Sequence, residues 1–212
     1  MTPPEALLFD FNGTLSDDEP LVCSIFVGLF AELGRPIMRE EYFTRFAGQT
    51  DDAIVRCWLG EDFPDLDAVV EERVARYLAA AADGSTVAEA AREAVLYAAE
   101  HVPVAVVSSA ARAEIDAVLA GAGLAGTFEA IVSFEDVTER KPDPEPYEHA
   151  LDLLGRPTGA VAFEDTDVGI ASARAAGLRC IGIATSLPPE RLAAAEEVVA
   201  ELDLPLIRRL LG

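Results

Sequence analysis

The chain has 212 residues, enough for one sizeable core or a core with a small insert. Hydrophobic residues make up 51% and charged residues 25%, an ordinary globular balance, but the formal net charge is −22 with a pI near 4.2. That acidity repels nucleic-acid phosphates, and apolar runs such as "VPVAVV" are too short to span a bilayer, so neither nucleic acid nor a membrane is an expected partner. Cys23, Cys57 and Cys180 are scattered, with no CxxC pair and no zinc spacing. They fit a reduced, cytoplasmic setting, as does an N-terminus without basic and long apolar signal-peptide regions.

In chain order, "ALLFD" (Ala6 to Asp10) reads as the first buried strand. From Ser16 to about Ser85 no strand pattern appears. "EPLVCSIFVGLFAELG", "REEYFTRFAG", "DDAIVRCWLG" and "LDAVVEERVARYLAAAADG" all read as helices, followed by "TVAEAAREAVLYAAE". Further apolar strands are expected at Val102 to Ser109, Glu129 to Ser133, Ala160 to Asp165 and Arg179 to Ala184. Amphipathic stretches ending in glycine, at Ala110 to Gly123, Pro144 to Gly155 and Asp167 to Gly177, read as helices between them. Continuous apolar strands alternating with helices predict an α/β fold with a doubly wound parallel, Rossmann-like sheet. The expected organisation is a core of residues 1–15 and 86–212, with residues 16–85 inserted as a small all-helical cap. Tyr42, Phe43, Phe46 and Trp58 are expected in the cap's own core. His101 and His149 stand alone and receive no role.

Ligands of open parallel sheets sit outside the carboxyl ends of the strands. Four polar clusters fall there: Asp10 and Asn12, Ser108 and Ser109, Lys141 in "ERKPDPEP", and Glu164 with Asp165. Each has a plain structural reading. An Asp or Ser at a strand end is often a turn former or helix cap, Ser109 being a candidate N-cap here, and a Lys before Pro is often a solvated loop residue. Together they form a candidate phosphoryl-transfer site. Asp10 and Asp165 can supply carboxylates to Mg2+, and a carboxylate can itself attack phosphorus. Lys141 and the Ser108 hydroxyl can offset the charge of the transferring group.

"DFNGTLSDDE", "VVSS", "KPDPEPY" and "FEDTDVGIASARAAG" resemble, in order, the four motifs of the haloacid dehalogenase-like hydrolase superfamily. The likeness is closest to its phosphatase and β-phosphoglucomutase-like branch with a helical cap, and it covers nearly the whole chain. It implies that Asp10 is the nucleophile, that Ser108 holds the transferring phosphate and that Lys141 orients Asp10. It implies Asp165 as a magnesium ligand, Glu164 in or near the metal's outer shell, and the backbone carbonyl of Asn12 as a further ligand. Gly13 and Ser109 belong to the same substrate-binding motifs. In "RFAGQTDDAI", Arg45, Gln49 and Thr50 are candidate substrate contacts. An equal alternative is a helix-to-helix turn in which Gly48 supplies the bend and Thr50 or Asp51 the N-cap.

The departure is Asn12. The phosphatase and mutase pattern has Asp there as general acid and base, and an amide exchanges no proton near neutral pH. Such help is typically worth about 100- to 10,000-fold. Three readings stay open: a slow phosphatase for good leaving groups, rescue by Asp17 or Asp18 in "SDDE", or a catalytically impaired phospho-ligand binder. Asp17 and Asp18 also read as helix-start residues. A sugar phosphomutase is a further alternative, with greater need of an acid at position 12. Dehalogenation needs no metal, and a Schiff-base phosphonate hydrolase needs a second lysine that this chain lacks. The expectation is a Mg2+-dependent phosphatase of small phosphorylated metabolites, monomeric and cytoplasmic.

Overall fold

The computed structural model describes residues 2–47 and 49–212. Its centre is a parallel sheet. Strand β1 (Leu7–Phe9) lies between β2 (Val104–Val107) and β4 (Val161–Glu164). β3 (Ala130–Val132) flanks β2; β5 (Arg179–Ile183) and β6 (Glu197–Val199) follow β4, giving the order β3-β2-β1-β4-β5-β6. β1, β2 and β4 are buried along their whole length, which is why they read as unbroken apolar runs.

The two-residue period of a strand divides their side chains between two core layers. Leu7, Phe9, Val104, Val106, Val161 and Phe163 face one layer, where Phe9 and Phe163 stack with ring centroids 4.8 Å apart. Leu8, Ala105, Val107 and Ala162 face the other, under α7 (Glu145–Leu153) and α8 (Asp167–Ala175). Parallel registry sets Phe9 beside Val106 and Phe163, so all three strands end at the same edge. Asp10, Ser108, Glu164 and Asp165 follow from that alignment.

Between β1 and β2 run five helices: α1 (Glu19–Glu32), α2 (Arg39–Arg45), α3 (Asp51–Leu59), α4 (Leu66–Ala81) and α5 (Glu89–Ala99). Tyr42, Phe46 and Trp58 pack as expected, together with Phe26 and Phe30 of α1, at centroid spacings of about 5 to 6 Å. Phe43 departs from that expectation: it is 38% exposed, meets Tyr42 edge-on and carries the Arg39 guanidinium over its ring at 5.1 Å. Gly48, the expected bend, lies outside the described residues.

β6 and α9 (Leu204–Leu211) lie where the sequence pattern suggests no element. β6 is only three residues long and half-buried, and the alanine- and glutamate-rich run before it masks its period. α9 is capped by Asp203, which accepts from the Leu206 amide at 2.8 Å. It buries Leu206, Ile207 and Leu210 against the sheet layer that holds Phe9. α6 (Arg112–Gly121) starts two residues later than the pattern suggests, with Ala111 at its N-cap, so Ser109 is not the cap. Among the described residues no helix is long and apolar enough to cross a membrane.

Candidate active site

At the aligned strand ends, the Lys141 ammonium donates to Asp10 Oδ1 at 2.7 Å, to Glu164 Oε1 at 2.6 Å and to the Val107 carbonyl at 2.8 Å. The loop before α7 thus delivers one cation to the tips of three strands. Tyr147, on α7, donates its hydroxyl to the same Glu164 oxygen at 2.6 Å. Glu164 lies against α8 at Gly169, where a Cβ would overlap its carboxylate, so glycine is the residue that admits it. Asp10, Glu164 and Asp165 are all buried, and each has a carboxylate oxygen within 4.8 Å of the others'.

Three carboxylates against one ammonium leave two negative charges in a buried space. The titration behaviour reflects this. Burial pushes Asp10 above the usual carboxylate range, against the pull of Lys141. Burial, then Asp10 and Glu164, push Asp165 well above it, while Ser186 opposes. Glu164 rises to about 7 through burial, which outweighs Lys141. For Lys141 burial acts against the charge, but Asp10 and Glu164 hold its pKa above the ordinary lysine value. An all-oxygen donor set with two uncompensated charges fits a hard divalent cation such as Mg2+. Asp10 and Asp165 could serve as its donors, since Glu164 is the carboxylate most engaged with Lys141 and Tyr147.

Gly13 makes the close approach possible. Its φ is +79°, and a Cβ there would overlap the Asp165 carboxylate and the Ser186 hydroxyl. Expected at the substrate, Gly13 is instead buried under Asp165, with its carbonyl accepting from the Thr185 hydroxyl. Ser108 ends β2 with a buried hydroxyl that accepts from the Ala110 amide at 3.0 Å. Ser109, not Ser108, forms part of the cavity wall.

That cavity, of about 660 Å³, opens between the strand ends and helices α3 and α4. Asp10, Asn12, Lys141 and Asp165 line its core side. Gln49 and Thr50 line it from the helical insert. Gln49 donates to the Arg45 carbonyl at 2.6 Å, and Thr50 also caps α3 through the Ala53 amide, so the same two residues line the cavity and form the turn. Arg45 does not line it. Its guanidinium pairs with Glu41 at 2.9 Å and lies over the Phe46 and Trp58 rings, because an exposed i,i+4 acid and two aromatic faces compete for it locally.

Asn12 has a specific partner. Its Nδ2 donates to Asp18 Oδ2 at 2.9 Å, and the same oxygen accepts from the Ser16 hydroxyl at 3.0 Å and from Tyr77 of α4. Asp18 stands at the N-cap position of α1, in line with the helix-start reading, but its side chain makes no cap bond. It is fully buried, and burial raises its pKa to about 6 against those three donors. Asp18 does not line the cavity, so it is not placed to protonate a substrate directly. Asp17 is exposed, with its amide bonded to the Thr86 carbonyl at 2.9 Å.

Several members of the site carry no signal in the pattern. Tyr147 lies within the "KPDPEPY" motif without a role attached to it. Thr185 and Ser186 follow β5, a strand end whose polar residues could have been included by the same rule that selected the other four. Arg73, Asp51 and Glu114 meet only in three dimensions: the Arg73 guanidinium pairs with both carboxylates, and all three line the cavity.

A profile of haloacid dehalogenase-like hydrolases matches residues 7–183. Validoxylamine A 7'-phosphate phosphatase of Streptomyces hygroscopicus subsp. limoneus is 28% identical over 92% of each chain. Protein CbbY of Rhodobacter capsulatus is 33% identical over 84% of each chain. A crystal structure of a CbbY variant from Rhodobacter sphaeroides, in complex with xylulose-(1,5)bisphosphate, superposes with a TM-score of 0.81 at 27% identity, covering 94% of this chain and 95% of that one.

Proposed function

The chain belongs to the haloacid dehalogenase-like hydrolase family, and on that footing we propose that it is a Mg2+-dependent phosphatase of small phosphomonoesters acting through Asp10. The relatives named above include a sugar-like phosphate phosphatase and a protein seen with a sugar bisphosphate, which supports a phosphorylated polyol as substrate. The carrying observation is the buried Asp10–Lys141 pair at 2.7 Å, set among acidic oxygens at the floor of a ligand-sized cavity. Residues 16–85 act as a cap over that cavity in this reading, on a core of residues 1–15 and 86–212. The protein works as a cytoplasmic monomer, in keeping with three free cysteines.

Lys141 fixes the Asp10 carboxylate at one oxygen and offsets charge where the phosphate enters. An Asp10 oxygen forms a bond to phosphorus as the ester oxygen leaves with its electron pair, giving an aspartyl-phosphate. Water then attacks that phosphorus, releasing phosphate and regenerating the Asp10 carboxylate. Ser109 and the amides after β2 hold the non-bridging oxygens, and Ser108, buried behind them, orders that turn through the Ala110 amide. Asp10, Asp165 and the Asn12 carbonyl would hold Mg2+, which would supply neutralisation of phosphoryl charge. Asn12 gives the leaving oxygen no proton, so turnover is fast only where the leaving group needs none.

This reading predicts Mg2+-dependent phosphate release, faster from acetyl phosphate than from p-nitrophenyl phosphate. Mg2+ binding with no release from either would leave a phospho-ligand binder. The Asp18 contact adds a second expectation. Asn12→Asp alone sets a carboxylate against the buried Asp18 carboxylate and removes a donor, at a stability cost of about 1–3 kcal/mol. Exchanging the pair, Asn12→Asp with Asp18→Asn, restores donor and acceptor. The double variant should regain stability in urea unfolding and gain about 100-fold in kcat on a hexitol monophosphate, whose leaving alkoxide needs a proton. A single variant as stable as the native protein and as fast as the double would contradict this account of Asn12.

A further inference from the structure

The cap side of the cavity is acidic. Glu19, Asp51, Asp52, Asp67 and Glu71 line it, and Arg73 is the one cation there among the described residues. Arg73 is already spoken for. Its two amino nitrogens pair with Asp51 of α3 and Glu114 of α6, and the side chains are 8%, 17% and 3% exposed. One guanidinium between two carboxylates leaves the group net negative. Arg140, the other arginine at the cavity, belongs to the core wall beside Lys141, its guanidinium 5.1 Å from the Phe134 ring centroid. Charge that could receive a phosphate is therefore concentrated around Asp10, and the space beyond it is negative.

We infer that the substrate is a phosphate monoester whose remaining part is an uncharged or amine-bearing polyol, and that the Arg73–Asp51–Glu114 triad excludes a second anionic group. This rests on the hydrolase reading and narrows its substrate class. A second phosphate or a carboxylate extending toward α3 and α4 meets like charge and has to displace Asp51 or Glu114 from Arg73. Hydroxyls and ammonium groups meet acceptors instead. Like-charge juxtaposition is a device of specificity: it weakens the wrong ligand without strengthening the right one.

The test is binding, which needs no turnover. Calorimetry on the Asp10→Asn protein with Mg2+ compares a hexitol monophosphate, a hexosamine monophosphate, a hexose bisphosphate and phosphoglycolate. Both monophosphates should bind at least about tenfold tighter than the other two. Asp51→Asn, added to that background, frees one side of Arg73 and should bring the bisphosphate up about tenfold, closing most of the gap. Glu114→Gln is the parallel variant from the core side. A purely structural role for the triad would instead weaken all four ligands together. A bisphosphate or phosphoglycolate that binds tightest overturns the inference, whether or not the native protein hydrolyses p-nitrophenyl phosphate. The expected binding order in a protein that never releases phosphate would uphold the inference and overturn the hydrolase reading.

Discussion

Asp10→Asn should lower phosphate release by about 10⁴-fold or more while leaving the fold intact. The amide occupies the same volume at the tip of β1 and cannot form a stable acyl phosphate. Stability should not suffer, because Lys141 keeps Glu164 as a buried partner and the cluster loses one of its three acids. The amide also relieves repulsion with Glu164 and Asp165. Steady-state assays with acetyl phosphate, paired with urea unfolding, separate loss of the nucleophile from loss of the protein. Activity retained within tenfold would remove Asp10 from the reaction.

Lys141→Met should have the largest combined effect. The methionine keeps the aliphatic stem but strips the ammonium from Asp10 and Glu164, leaving three buried carboxylates without a cation. Breaking one side of a buried ion pair typically costs about 3–5 kcal/mol. The loss should be greatest in a chelator and should shrink as Mg2+ is added, since a ligand that binds only the folded state stabilises it by mass action. Turnover should fall by about 10²- to 10³-fold, the usual cost of removing one preorganised electrostatic donor. The readout is the unfolding midpoint in urea at several Mg2+ concentrations. A variant with native stability in the chelator would show that Lys141 does not hold the acidic cluster together.

What could be read from the sequence follows from how local each signal is. The central strands are buried on both faces, so their apolar runs and the polar residues that end them are visible as plain text. That is why Asp10, Lys141, Glu164 and Asp165 could be picked out together. β6 escaped because an edge strand of three half-buried residues has neither a run nor a period. Arg45 sits in a loop-like motif, but its partners, Glu41, Phe46 and Trp58, are matters of helix geometry. Asp18 does start α1, a short-range signal, but its side-chain donors include Tyr77, 59 residues away. The Arg73 triad joins α3, α4 and α6, and no spacing rule connects those three positions. The chemistry of the strand ends was legible; the side chains that tune it from the helical insert required the fold.

The most direct test is whether Asp10 itself carries the phosphoryl group. The native protein, mixed briefly with acetyl phosphate and Mg2+ and quenched in acid, should yield a peptide spanning Leu7 to Glu19 that has gained one phosphoryl mass. The gain should disappear on treatment with hydroxylamine, which cleaves acyl phosphates, and should be absent from Asp10→Asn. Release of phosphate with no modified peptide under any quench time, or a modification that survives in Asp10→Asn, would contradict the account.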